Sequence, residues 1–151
     1  MTVYDRLAEL GIELPTVSIP AGSYLPTARS GNLLFTAGQL PYVDGRLPAT
    51  GKVGAEVSPE DAKSYARLSG LNILAAVHSA VGLDAVERVV KLVGFVASAE
   101  GFTGQPGVIN GASDLMAEVF GEAGRHARSA VGVAELPLGA PVEVEAILQL
   151  R

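Results

Sequence analysis

Residues 128–150 read RSAVGVAELPLGAPVEVEAILQL, and how this stretch folds decides the rest of the chain. Two apolar runs flank the segment Leu136-Pro137-Leu138-Gly139-Ala140-Pro141. Proline fixes φ and removes a donor, and glycine supplies φ > 0, so neither run continues through it. The spacing predicts a strand, a turn and a second strand. The second strand alternates with period two: Val142, Val144, Ala146, Leu148 and Leu150 share one face, and Glu143, Glu145, Ile147, Gln149 and Arg151 share the other. Arg128, Glu143 and Glu145 interrupt an otherwise apolar pattern. A charge in a buried setting is costly unless it is paired or used, so these residues are the first functional candidates.

The chain around this stretch has 151 residues, enough for one domain with a full core. Hydrophobic residues make up 48% and charged residues 18%, and the mean hydropathy is +0.34. No run reaches the ~18 apolar residues of a membrane span, so the extra apolar surface is expected to lie against other subunits. Met1-Thr2-Val3-Tyr4-Asp5-Arg6 lacks the basic and apolar regions of a signal peptide, which places the protein in the cytoplasm. The absence of cysteine excludes disulfides, Cys-zinc sites, iron–sulfur clusters and a thiol nucleophile. A net charge of −5 argues against a nucleic-acid footprint and favours small-molecule partners.

Read in order, Thr2 caps a short helix that ends at Gly11, and Pro15 and Pro20 mark a linker. Ser23–Arg29 is a short, irregular strand, and a turn at Gly31-Asn32 leads into a second strand, Asn32–Gly38. Gly45–Gly54 is glycine-rich, but five residues separate Gly45 from Gly51 and Val53 follows Lys52, so it is a turn rather than a phosphate loop. Ser58-Pro59-Glu60-Asp61 starts a helix that stops at Gly82. Ala62, Tyr65, Ala66, Ser69, Ile73, Ala76, Val77 and Ala80 form its buried face. His78, late in that helix, reads as a partner of its C-terminal dipole. Val86–Ser98 is a nearly continuous apolar strand, suggesting a β-α-β unit. Pro106 opens a second long helix, with Val108, Ile109, Ala112, Leu115, Met116 and Val119 on one face and Gly121 at its end. The sum is an α+β protein: one mixed sheet, both long helices on a single face, and Phe35, Val93, Phe95 and Ile147 leaving the other face apolar.

Chemistry narrows by elimination. His78 and His126 fall on different elements without metal-ligand spacing, there is no Gly-x-Ser-x-Gly elbow, and nothing in the sequence brings a serine to a histidine. Arg128 remains, with Glu143 or Glu145. One reading is a salt bridge steadying the strand pair. The other is that Arg128 clamps a substrate carboxylate through two parallel donors while Glu143 holds and activates a water. A simple hairpin with Leu136 opposite Val142 would put Arg128 opposite Leu150, ~23 Å along the strand from Glu143. Only two subunits could then bring both to one small substrate.

Ala127-Arg128-Ser129, the apolar strand, Leu136-Pro137 and Val142-Glu143-Val144-Glu145-Ala146-Ile147 follow one another in an order that resembles the RidA (YjgF-type) family of enamine/imine deaminases. Tyr24 and the run SGNLLFTAGQLP at 30–41 strengthen the likeness, which spans roughly Tyr24 to Leu150. The resemblance implies a single domain over 1–151, with residues 1–22 as short helix and linker, and a chorismate-mutase-like fold: a single mixed β-sheet with two helices packed on one face, assembled as a homotrimer with clefts between subunits. It implies cofactor-free hydrolysis of 2-enamines and 2-imines such as 2-aminoacrylate and 2-iminopropanoate to 2-oxo acids and ammonia, with neither nucleic acid nor membrane as partner. Carried over by position, Arg128 is the carboxylate-binding arginine, Glu143 the water-activating glutamate, and Tyr24 the cleft tyrosine. Asn110 lines the cleft. Ala37 stands where the family has Ser or Thr, and Ala130 where it often has Cys, which makes this cleft less polar. Those two alanines also motivate an alternative, a non-catalytic trimer of the same fold that binds a small carboxylic acid. An endoribonuclease reading fits the acidic charge and the lack of a histidine pair poorly.

Overall fold

The computed structural model describes residues 1–17, 20 and 22–151. Its elements are α1 (Val3–Glu9), β1 (Thr27–Ser30), β2 (Leu33–Thr36), α2 (Pro59–Val81), β3 (Val86–Ala97), α3 (Gln105–Phe120), β4 (Ala127–Val133) and β5 (Val142–Leu150). The five strands form one mixed sheet in the order β1-β2-β5-β3-β4. β1 and β2 make a hairpin closed by Gly31 and Asn32, with Gly31 at φ 58° where a side chain would be strained. β5 is antiparallel to both β2 and β3, whereas β4 is parallel to β3, reached through α3.

The expected β4–β5 hairpin does not form: β3 lies between the two strands. Six residues rich in proline and glycine do not close a tight turn. They carry the chain across the end of β3, where Ala97 N–H donates to Pro141 O at 2.9 Å and Gly51 N–H to Gly139 O at 2.9 Å. β5 takes the central position because its alternation buries a whole face, Val142, Val144, Ala146, Leu148 and Leu150. The adjacent β-α-β unit is therefore β3-α3-β4, and the unit through α2 is split by β5.

Both long helices start and stop where local chemistry dictates. The Ser58 hydroxyl accepts from Asp61 N–H at 3.1 Å, Pro59 occupies the first turn, and Gly82 at φ 79° ends α2. α3 ends at Gly121, φ 63°. The apolar faces of α2 and α3 pack on Val89, Leu92, Val96, Val144 and Leu148 of the sheet, each such side chain contributing on the order of 1.5–3 kcal/mol when buried. Ala80, placed on the buried face by spacing, is exposed, and Tyr65 is half-buried. His78 is the basic residue of the last turn of α2, and its side chain also reaches α1. Its Nδ1 lies 2.7 Å from the Tyr4 hydroxyl, which accepts from Leu83 N–H at 2.9 Å and so ties α1 to the end of α2.

The two helices touch at backbone level through Gly111: a Cβ there would collide with the Lys63 carbonyl oxygen of α2. Gly111→Ala is expected to destabilise by about 1–3 kcal/mol, since no flexible side chain can give way. At ~2–4 °C per kcal/mol for a chain of this size, thermal denaturation reads this directly. An unchanged midpoint would show that the helices separate at no cost.

Across the sheet from the helices, paired residues form rows: Ala28–Phe35–Ile147–Lys91–Ala127, then Glu145–Val93–Ser129, then Glu143–Phe95–Val131. Phe35 is 39% exposed and Val131 44%, so this face is apolar and uncovered within the chain.

Candidate active site

Glu143 stands at the end of that outer face, and a β-bulge seats it. Between the pairs Phe35–Ile147 and Gln39–Val144, β2 and its continuation place three residues opposite two, Thr36-Ala37-Gly38 against Glu145-Ala146. The extra residue turns the backbone of Gly38 toward Glu143. A Cβ on Gly38 would lie 2.6 Å from Glu143 Oε2, so the carboxylate packs directly on glycine backbone. Ala37, half-buried in the bulge, donates its N–H to Pro26 O at 2.8 Å.

The Glu143 carboxyl is half-buried, and no ion pair or side-chain hydrogen bond reaches it among the described residues. Burial raises its pKa above the ordinary glutamate value, and the neighbouring charge of Glu145 on the same face raises it further. A cavity of about 290 Å³ opens beside it, lined by Tyr24, Gln39, Leu40, Tyr42 and Leu138 among others. Tyr24 and Glu143 thus share one pocket.

Arg128 lies elsewhere. It pairs with Leu92, which pairs with Ala146, so Arg128 is on the helix side of the sheet and Glu143 on the other. Two strand spacings and three residues separate their backbones, ~10 Å in each direction. The ~23 Å of the hairpin reading is corrected, but a single chain still holds the two side chains on opposite faces. Ala130, next on the helix side, is half-buried level with Gly94 and Val144.

Around Arg128 the partners are neutral. Its Nη1 donates to Asn110 Oδ1 at 2.7 Å and to Ser113 Oγ at 3.2 Å, both from α3. Among the described residues no carboxylate pairs with it, so the salt-bridge reading fails within the chain. Ser113 Oγ is also 2.9 Å from His126 Nε2, and His126 Nδ1 is 2.6 Å from Gly124 O. A carbonyl only accepts, which assigns the proton to Nδ1. With the proton on Nδ1, Nε2 accepts from the Ser113 hydroxyl, which in turn accepts from Arg128. The fold therefore does join a serine to a histidine, contrary to the sequence reading, as an orienting chain behind the guanidinium. The guanidinium nitrogens Nε and Nη2 make no hydrogen bond among the described residues.

Among the described residues, no group of three His, Cys, Asp or Glu side chains is arranged to hold a metal ion, and no helix is long and apolar enough to cross a membrane. Sequence reasoning missed Gly38, Ser113, His126 and Leu138. A glycine at the end of a strand pattern signals close approach and could have exposed Gly38. Ser113 stands three residues after Asn110 on α3, so helical periodicity put it on the right face, whereas His126 lies just before β4 and no periodicity places it. Nothing in the sequence announces Leu138.

A mixed sheet with two long helices on one face defines an α+β protein of chorismate-mutase-like fold, and it carries a bulge-seated glutamate and a half-buried arginine without an acid partner among the described residues. Residues 4–147 match the family model described as "YjgF/chorismate mutase-like, putative endoribonuclease", and the chain belongs to this RidA/YjgF family. It is 48% identical over 151 residues to Protein TCP17 of Trypanosoma cruzi, covering 99% of this chain and 94% of the relative. It is 34% identical over 128 residues to the "Putative reactive intermediate deaminase TdcF" of Escherichia coli K12, covering 83% and 85% of the two chains. Among solved structures, protein Atu1372 of Agrobacterium tumefaciens, of unknown function, superposes with a TM-score of 0.91 at 48% identity, covering 99% of this chain and 92% of that one. Family members thus carry the names of reactive intermediate deaminases or endoribonucleases.

Proposed function

We propose that this protein hydrolyses 2-enamines and 2-imines, such as 2-aminoacrylate and 2-iminopropanoate, to 2-oxo acids and ammonia without a cofactor. The observation that carries the reading is the pair of uncompensated charges, Arg128 held only by neutral partners and Glu143 raised in pKa beside a cavity. Arg128 binds the substrate carboxylate. Glu143 takes a proton from water as the water oxygen bonds to C2 and the C=N π pair moves to nitrogen. The same carboxyl returns that proton to nitrogen, giving the carbinolamine, and then relays the carbinolamine hydroxyl proton to nitrogen as C=O forms and the C–N bond breaks, so that ammonia and the 2-oxo acid leave. Tyr24 borders the reacting centre in the same cavity. An enamine enters this path after protonation at C3 gives the imine. The deaminase name carried by TdcF supports the deaminase over the endoribonuclease reading.

Arg128 and Glu143 meet one substrate only across subunits. β4 is an edge strand and the outer sheet face is apolar, so a neighbouring copy can cover that face and bring its own residues to the cleft. The proposed assembly is a homotrimer. Light scattering is expected to give three times 15.5 kDa at micromolar concentration, and a monomer would remove the shared site.

The reading is tested by generating 2-iminopropanoate in situ with an amino-acid oxidase and trapping it with semicarbazide. Acceleration of its loss at catalytic protein levels is expected. Ala37 and Ala130 favour the second reading, a small-carboxylate-binding trimer, which predicts 2-oxo-acid binding without turnover.

Ser113 and His126 act here as positioning residues. Ser113→Ala is expected to raise KM several-fold with little change in kcat, and Ser113→Thr to restore it, because only the hydroxyl that fixes the guanidinium plane is at stake. Equal falls in kcat and kcat/KM would show that Ser113 acts on the reaction itself.

A further inference from the structure

Leu138 has a backbone and a surroundings at odds with its side chain. It sits at φ 60°, ψ 15°, in the left-handed region that a residue with a Cβ occupies at a cost. The turn around it is closed by Gly139 N–H to Leu136 O at 3.2 Å and Ala140 N–H to Pro137 O at 3.1 Å, so the conformation is locked. Glycine or asparagine would fill such a position with less strain. The leucine side chain gains no burial in return, being 70% exposed, and it borders the cavity that holds Glu143. Strain held at the rim of a pocket points to a role in that pocket.

The rest of the lining agrees. Beyond Glu143, Gln39 and two tyrosine hydroxyls, the walls are Pro20, Pro26, Leu40 and Pro137 with the tyrosine rings. A cavity of about 290 Å³ sits near the lower end of small-ligand pockets, ~300–1,000 Å³. It is large for a substrate whose side chain is a single methyl.

The geometry points to 2-imino acids with branched aliphatic or aromatic side chains as the preferred substrates, with Leu138 closing over the apolar side chain. This rests on the deaminase reading for the chemistry, but the selectivity is a property of the pocket and is read by binding alone. The carboxylate stays on Arg128 and the imine carbon stays by Glu143, so only the side chain distinguishes one substrate from another.

The experiment uses the full chain. Affinities for pyruvate, 4-methyl-2-oxopentanoate and phenylpyruvate are measured by titration calorimetry, and turnover of the matching imines by the trapping assay. The larger oxo acids are expected to bind about tenfold or more tightly than pyruvate. Leu138→Asn, which tolerates the left-handed backbone, should remove most of that preference with the oligomeric state unchanged. Leu138→Met should keep the preference. Equal or tighter binding of pyruvate overturns the proposal, as does unaltered selectivity in Leu138→Asn, or dissociation of the oligomer by that variant, which would make Leu138 a subunit contact. Selective binding without turnover of any imine would leave the selectivity standing and sink the deaminase reading alone.

Discussion

Arg128→Lys is expected to leave fold and assembly intact and to lower kcat/KM at least tenfold. Lysine keeps the positive charge and can still donate to Asn110 Oδ1, the shortest contact Arg128 makes. What it lacks is a second pair of donors in a fixed plane, which a bound carboxylate needs and a lone ammonium does not offer. Losing a charge-assisted pair in a desolvated site costs roughly 2–5 kcal/mol, so the loss should dominate the kinetics. If Arg128 served only to brace α3 against β4, the lysine variant would show a lowered thermal midpoint with normal turnover. Parallel measurement of 2-oxo-acid affinity, kcat/KM and melting separates the two, and normal turnover would remove Arg128 from the site.

Glu143→Gln is expected to bind 2-oxo acids as well as the parent and to lose nearly all turnover, because an amide cannot take a proton from water. Its stability carries a second signature. Burial raises the Glu143 pKa, so the folded state favours the protonated carboxyl more than the unfolded chain does. The ionised form therefore weighs against folding, and the stability this group contributes is present at low pH and lost as pH rises through its folded pKa. Glutamine has no such dependence. The variant should be at least as stable as the parent at neutral pH, with the relative advantage shrinking on acidification. The parent's kcat/KM should rise with pH along a limb set by Glu143, above the ordinary glutamate range. Turnover retained in Glu143→Gln would mean that another group activates water.

Much of this architecture is written in local chemistry. Ser58-Pro59 starts α2 and Gly82 stops it, Pro106 and Gly121 bracket α3, and the period-two run from Val142 to Leu150 buries the face it was expected to bury. These follow from φ preferences, capping and hydrophobic periodicity, each acting over a few residues. The outer apolar face was legible too, since Phe35, Val93, Phe95 and Ile147 exceed what two helices can cover. Arg128 and Glu143 stood out as charges in an apolar pattern, and Tyr24 entered only by likeness to a family.

Strand order was not legible. Whether β5 pairs with β4 or slips between β2 and β3 depends on which edges remain once α3 has set β4 parallel to β3, and no local preference encodes that choice. From that order follows the placement of Arg128 and Glu143 on opposite faces, which a hairpin would have replaced by mere distance along the strands. The Ser113–His126 link likewise needs α3 laid over β4. The left-handed Leu138 is the plainest case: its sequence neighbours announce a turn, but only the packed loop forces a leucine into a conformation that glycine would adopt freely.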